Sequence, residues 1–208
     1  MPNLNVKLIW SRDTVILIPE MIRAETLMAP DIADDDYIQL ASLIRLLLRD
    51  KSRSEQELAE SMRREWSHYT GPPELQGRRF IVRDGGRIVA NANLHPRRML
   101  TSRGSELVGG LCAVVSHPDV RGRGFGKAVV RAAFDHVDIG EHSFALFQSR
   151  ADARGFYEKL GCHVVDSPVV NSRSSESPRA NPFWEQWVMS YSVNDMPEGE
   201  IDILGPGY

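Results

Sequence analysis

Cysteine is scarce in this chain. Only Cys112 and Cys162 occur in 208 residues. Both lie in apolar, strand-like runs, so two buried reduced thiols are expected rather than a disulfide framework. Neither they nor the six histidines fall into metal-ligand spacing. Neither sign of charge is in excess. With 25 Lys and Arg against 28 Asp and Glu the net charge is −3, which gives no bulk attraction to nucleic acid. Long hydrophobic runs are missing too. The longest, near Leu43 to Leu48, is interrupted by Arg45 and is too short to span a bilayer. Met1-Pro2-Asn3-Leu4-Asn5 lacks the basic and apolar regions of a secretory leader. The expectation is a cytoplasmic protein with neither nucleic acid nor membrane as partner.

What remains is ordinary globular composition, 42% hydrophobic and 25% charged, enough for a sizeable core. On a prior of about 150 residues per domain, residues 1–208 read as one domain. Charge is unevenly placed. Basic residues gather between Arg97 and Arg131, three aspartates follow one another at 34–36, and Asp195, Glu198, Glu200 and Asp202 make the last stretch acidic. The early aspartates read as a solvated face.

Val6 to Trp10 and Thr14 to Ile18 read as a hairpin about Ser11-Arg12-Asp13. Tyr37, Leu40, Ala41, Ile44, Leu47 and Leu48 recur at helical spacing after aspartates suited to an N-cap. Ser54-x-x-Glu57 is a capping box for a second helix, with Leu58, Met62, Trp66 and Tyr69 on one face and Gly71-Pro72-Pro73 as its stop. Phe80 to Val82 and Arg87 to Asn93 read as strands about the turn Asp84-Gly85-Gly86. A third strand ends at Val115. A helix over Phe125 to Val137, a strand over His142 to Phe147 and a helix over Ala151 to Leu160 follow. Asn171 to Pro182 has loop composition, and Trp187 to Tyr191 alternates like a final strand. The order implies an α/β fold with a mixed sheet.

The sharpest feature is Arg121-Gly122-Arg123-Gly124-Phe125-Gly126-Lys127, a glycine-rich turn between an apolar strand and an amphipathic helix. Unpaired N–H groups and a positive dipole end make such a helix start an anion site. Glycines let the backbone approach a bulky diphosphate. Arg121, Arg123 and Lys127 add charge. A Walker-type loop needs Gly at 121 and Ser or Thr at 128, where Arg121 and Ala128 stand. The dinucleotide fingerprint needs Gly at 127, where Lys127 stands.

The pattern that fits is R-x-x-G-x-G, as Arg121, Gly124 and Gly126. Further on, Ala153 to Cys162 is similar to an A-x-x-x-Y-E-K-x-G-F segment, with Cys162 in place of Phe. With both motifs in order, the chain resembles the GCN5-related N-acetyltransferase family, closely over about 79–166. The resemblance implies a mixed, largely antiparallel central sheet flanked by helices. It also implies acetyl-CoA held by Val114, Val115, Ser116, Arg121, Gly122, Arg123, Gly124, Phe125, Gly126 and Lys127. Val114 to Ser116 would be a splayed strand edge that pairs with the pantetheine amides and donates to the oxyanion.

The implied chemistry is direct acetyl transfer to an amine. Tyr157 is the candidate acid for the departing thiolate: a phenol with pKa near ~10 stays protonated at neutral pH and so has a proton to offer. Without the motif, its helical spacing with Ala153, Phe156 and Leu160 reads as core. Many relatives place a Glu on the strand before the turn, whereas Gly109-Gly110-Leu111-Cys112-Ala113 holds no carboxylate. Cys112 as nucleophile lacks a basic partner nearby in sequence and reads as core. Glu106, His117 and a water chain are the other candidate bases, with His117 read as structural.

Arg97 to Leu100, the long third and fourth strands and a tail ending in Tyr208 look similar to aminoglycoside 2′-N-acetyltransferases, and nodulation-type N-acyltransferases share that look. The expected partners are a small-molecule amine, cationic or aminoglycoside-like and drawn by the acidic tail, with a homodimer also compatible. The rival reading is a catalytically degenerate acyl-CoA-binding module, a sensor or scaffold.

Overall fold

The computed structural model describes residues 6–11, 14–19, 22–28, 31–48 and 51–208. The chain runs through β1 (Val6–Ser11), β2 (Thr14–Pro19), β3 (Glu25–Leu27), α1 (Asp34–Arg45), α2 (Glu55–Ser67), β4 (Arg78–Asp84), β5 (Arg87–Thr101) and β6 (Gly104–Ser116). It continues through α3 (Phe125–Asp138), β7 (Ala145–Ser149), α4 (Ala151–Glu158), β8 (His163–Val164), β9 (Val169–Val170), β10 (Trp187–Tyr191) and β11 (Ile201–Asp202). β1 and β2 form the expected antiparallel hairpin. The main sheet runs β3-β4-β5-β6-β7-β10-β8, and β11 joins β5 to β9. Its strands are antiparallel neighbours except for β6 with β7 and β11 with β9.

Alternation along β4 assigns the two faces of the sheet. Phe80 and Val82 join the core built with Val129, Val130, Ala133 and Phe134 of α3 and Tyr157 of α4. Ile81 joins Ile88 and Val115 beneath Tyr37, Leu40, Leu58, Met62 and Trp66 of α1 and α2. The capping box of α2 forms as the spacing predicts. Ser54 Oγ accepts from Glu57 N at 3.2 Å, and Glu57 Oε2 accepts from Ser54 N at 2.7 Å. α1 is capped by Ala33 instead of an aspartate and ends at Arg45, leaving Leu47 and Leu48 outside it. Tyr69 lies past α2 and is exposed.

The two acidic runs are solvated only in part: Asp34, Asp35, Asp195 and Glu198 are exposed, while other members are tied into the fold. Asp36 is buried and takes a two-pronged contact from Arg83, at 2.9 and 2.7 Å, while Asp34 pairs with Arg63 at 2.9 Å. The acidic tail is docked. Ile201, Asp202 and Ile203 are buried, Glu200 pairs with Arg179 at 2.7 Å, and Asp202 Oδ1 accepts from Ser172 N and Leu204 N, each at 3.0 Å. β10 is therefore not the last strand. A third cluster, Met99, Val108, Phe144, Leu146, Phe183, Ile201 and Ile203, seats this C-terminal segment on the sheet.

β5 is longer than its sequence pattern, reaching Thr101 through Pro96. Pro96 stands opposite Gly109, whose N–H donates across to Phe144 O at 3.0 Å. That pair exchanges no hydrogen bond, so a residue without an N–H fits there. The strand expected over His142 to Phe147 starts three residues later, at Ala145. His142 N and Ser143 N donate instead to His136 O and Leu107 O.

Candidate active site

β6 is bulged near its end. Asn91 and Asn93 of β5 stand opposite Val115 and Cys112, so between them one residue, Ala92, faces two, Ala113 and Val114. The extra residue sits at Ala113, whose φ is +50, a left-handed conformation costing a residue with a Cβ on the order of 1–3 kcal/mol. Asn91, fully buried, holds it: its Nδ2 donates to Ala113 O at 2.8 Å and its Oδ1 accepts from Arg79 Nη1 at 3.1 Å.

On its other edge β6 pairs with β7 only at Gly109 and Gly110. From Leu111 onward the two parallel strands part company. The open stretch includes Val114, Val115 and Ser116 and ends at the glycine turn, so the structure brings the two expected cofactor elements together. This is the carboxyl end of the strands, where α/β sheets take their ligands.

The turn is built for close approach. Gly122 and Gly124 have φ of +78 and +89. A Cβ on Gly126 would lie 2.9 Å from Ser116 Oγ and 3.9 Å from the Phe156 ring, so turn, open strand and α4 meet at this glycine. The first intrahelical bond of α3 is Ala128 N to Gly124 O at 3.0 Å, and no side chain caps the helix. The N–H groups of Phe125, Gly126 and Lys127 thereby have no partner among the described residues and lie at its positive end. Phe125 itself is buried and anchors the helix. Of the three cations, Arg123 is already engaged, donating to Asp84 Oδ2 at 2.6 Å with its guanidinium 4.7 Å from the Phe125 centroid. Arg121 and Lys127 are exposed.

Tyr157 is 7% exposed and packs on Phe147, with ring centroids 4.7 Å apart. Its hydroxyl has no hydrogen-bond partner among the described residues. Burial pushes the phenol above its ordinary range, with the neighbouring thiols Cys162 and Cys112 acting in the same direction. The group therefore stays protonated at neutral pH.

Several candidates for the base fall away. Burial pushes the Cys112 thiol up to about 12, more than the opposing Arg79 charge restores, so it is no thiolate at neutral pH. Glu106 is bound to Arg103 at 3.0 Å and Thr101 at 2.6 Å beside the β5–β6 hairpin turn, seven residues or about 23 Å of strand from the bulge. His117 Nδ1 accepts from Asp119 N at 3.3 Å and caps a short 3-10 turn, the structural role expected of it.

The structure supplies a carboxylate that sequence reading missed. Glu65 is exposed on α2, and its charge is felt at both Cys112 and Arg79. It lines a cavity of about 100 Å³ with Trp66, Tyr69, Leu75, Gln76, Gly77 and His95. The one legible hint was its place beside the apolar stripe of Leu58, Met62 and Trp66. The other wall of this face is the C-terminal segment. Tyr208 lies so close over Gly110 that a Cβ there would fall 2.1 Å from its ring, and Arg97 stacks on that ring at 4.6 Å while donating to Pro206 O at 2.7 Å.

Among the described residues no group of side chains could hold a metal ion, and no helix is long and apolar enough to cross a membrane.

The chain belongs to the GNAT acetyltransferase family. The model of that family, an acetyltransferase (GNAT) domain, matches residues 31–165. Solved structures agree on the fold. A GNAT-family acetyltransferase from Staphylococcus aureus Mu50 aligns with TM-score 0.54 at 12% identity, over 82% of this chain and 99% of its own. Glucosamine-6-phosphate N-acetyltransferase from Arabidopsis thaliana aligns with TM-score 0.53 at 19% identity, over 68% and 91%. A Trypanosoma brucei acetyltransferase aligns with TM-score 0.50 at 25% identity, over 70% and 94%. No curated protein matches.

Proposed function

We propose that this chain is an acetyl-CoA-dependent N-acetyltransferase acting on a small amine. The observation that carries the reading is the meeting of three features at Gly126: the free N–H groups of α3, the unpaired edge of β6 and the helix that carries Tyr157. These fit acetyl-CoA part by part. The turn from Arg121 to Lys127 takes the pyrophosphate on backbone N–H groups, with Arg121 and Lys127 the cations free to join it. The edge at Val114 to Ser116 offers strand hydrogen bonds to the pantetheine amides. The bound cofactor supplies an activated acetyl thioester.

The protein's own residues then do three things. Backbone N–H groups at the Ala113 bulge donate to the acyl carbonyl oxygen, held there by Asn91 at no reorganisation cost. The Tyr157 hydroxyl holds a proton for the departing sulfur. Glu65, through water, takes the proton of the incoming ammonium, because an amine attacks only when neutral.

A polycationic, aminoglycoside-like acceptor drawn by the acidic tail is not part of this proposal, since Glu200 and Asp202 are spent on Arg179 and on backbone N–H groups. The second reading, a silent acyl-CoA-binding module, has one observation in its favour: β6 carries no carboxylate between Gly109 and Ala113. Calorimetric titration with CoA, followed by thiol release from acetyl-CoA with a panel of amines, separates the two. Binding with amine-dependent release supports the enzyme. Binding without release supports the module.

A further inference from the structure

Arg79 is a buried cation with almost nothing to hold. It is 1% exposed, and its side chain lies on the sheet face covered by α2, its guanidinium 4.6 Å from the Trp66 ring. A guanidinium carries five N–H donors, and among the described residues one is used, Nη1 to Asn91 Oδ1 at 3.1 Å. No carboxylate pairs with it among the described residues. Nε is shut away without a partner. Nη2 is equally unpartnered there but is not sealed. Burial drags the guanidinium down to about 10, more than the charges of Cys112, Tyr37 and Glu65 restore. Buried charges are ordinarily paired, because an unpaired one loses its hydration and gains nothing in return.

The position of this cation is informative. Arg79 stands opposite Asn93 in the β4–β5 register, and Asn93 stands opposite Cys112 in the β5–β6 register. One cross-strand row thus runs from Arg79 to the residue before the Ala113 bulge. Nη1 is committed to supporting that bulge through Asn91. With Nε enclosed, Nη2 is the donor atom left for a ligand, able to give a carboxylate a charge-assisted hydrogen bond. On the same face Glu65 offers the opposite charge. A cation and an anion beside one acyl site complement a zwitterion.

Resting on the acetyltransferase reading, we infer that the acceptor is an amine that also bears a carboxylate, and that Arg79 binds the carboxylate. The acceptor would be an amino acid or a molecule with that pair of groups, its ammonium toward Glu65 and the bulge. The recognition step forms hydrogen bonds only, and Arg79 is a binding residue with no proton to move.

Two measurements test this. In the first, thiol release from acetyl-CoA is followed with matched pairs, each amino acid against its carboxamide. The expected result is kcat/KM at least ten-fold higher for the carboxylate member, a gap that narrows in Arg79→Lys and closes in Arg79→Gln. Equal rates on both members would overturn the carboxylate while leaving the acetyltransferase standing. The second measurement needs no turnover. The side-chain Nε–H resonance of Arg79 in the CoA-bound wild-type protein, assigned by its loss in Arg79→Lys, is titrated with the same amino acids, their carboxamides and inorganic phosphate. A saturable shift with amino acids alone supports the proposal even if no thiol is released, when the acetyltransferase reading is what fails. A shift with phosphate only, or with no anion at all, overturns it; the latter makes Arg79 a solvated structural arginine.

Discussion

The buried amide of Asn91 donates to the carbonyl of Ala113 at 2.8 Å, tying β5 to the one residue of β6 other than glycine that adopts a left-handed backbone. The bond answers two demands together. The bulge leaves a carbonyl out of the sheet ladder, and a strained backbone persists only where its surroundings over-determine it. Asn91 in turn is fixed by Arg79.

Asn91→Ala is therefore expected to lower stability by about 1–3 kcal/mol, the cost of leaving buried polar groups unpaired. It should also lower kcat more than it weakens CoA binding, because the turn is untouched. Urea unfolding beside steady-state kinetics checks both. Equal loss in kcat and in CoA affinity would mean the amide supports the whole domain and has no particular hold on the bulge.

At the turn, Gly124→Ala places a Cβ on a backbone with φ of +89, a strain of about 1–2 kcal/mol. Gly126→Val meets Ser116 Oγ, only 2.9 Å from the first added carbon. Both variants should lose CoA affinity, Gly126→Val by at least ten-fold. Calorimetry on folded variants decides, and unchanged affinity in both would remove the pyrophosphate from this turn.

Tyr157→Phe should lower kcat about 10²-fold with little change in CoA binding. Burial raises the pKa of this phenol, so its proton is retained through pH 10. The wild-type pH–rate profile should accordingly show no downturn below pH 10 that disappears in the variant. Normal turnover in Tyr157→Phe would reduce the residue to packing.

Stability should fall on mild acidification. Burial lowers His95 to about 4, helped by Arg79 and Arg97, and lowers His142 to about 4, helped by Arg78 and His136. Both rings are neutral in the folded protein and bind protons near pH 6.5 once unfolded. Their contribution is therefore whole above 6.5 and is lost as pH falls from 6.5 toward 4. His142, with neither ring nitrogen partnered, is the better probe. Its replacement by Leu should flatten the decline in urea midpoint between pH 7 and pH 5. An identical decline would place the titrating groups elsewhere.

What could be read ahead of the fold was local. The capping box of α2, the turn before α3 and the start of β5 depend on residues a few positions apart, and periodicity or spacing reports them. The strand edge at Val114 to Ser116 became visible only through the family pattern. The rest depends on pairing across the sheet. Pro96 ends a strand by every local rule, and only its place opposite Gly109 makes it harmless. The acidic tail looks solvated until Arg179, Ser172 and the cluster around Ile201 are brought to it. Arg79 and Glu65 are ordinary surface charges in sequence. Burial makes the first conspicuous, and proximity to Cys112 the second.

The central claim is that the open edge of β6, the glycine turn and Tyr157 form one working acyltransferase site. It is tested most directly by following free thiol when wild-type protein and Tyr157→Phe are each given acetyl-CoA with and without a panel of primary amines. The account predicts amine-dependent thiol release by the wild type, matched mole for mole by acetylated amine and lowered about 10²-fold in the variant. Tight CoA binding with no amine-dependent release, or release that Tyr157→Phe leaves unchanged, would contradict it.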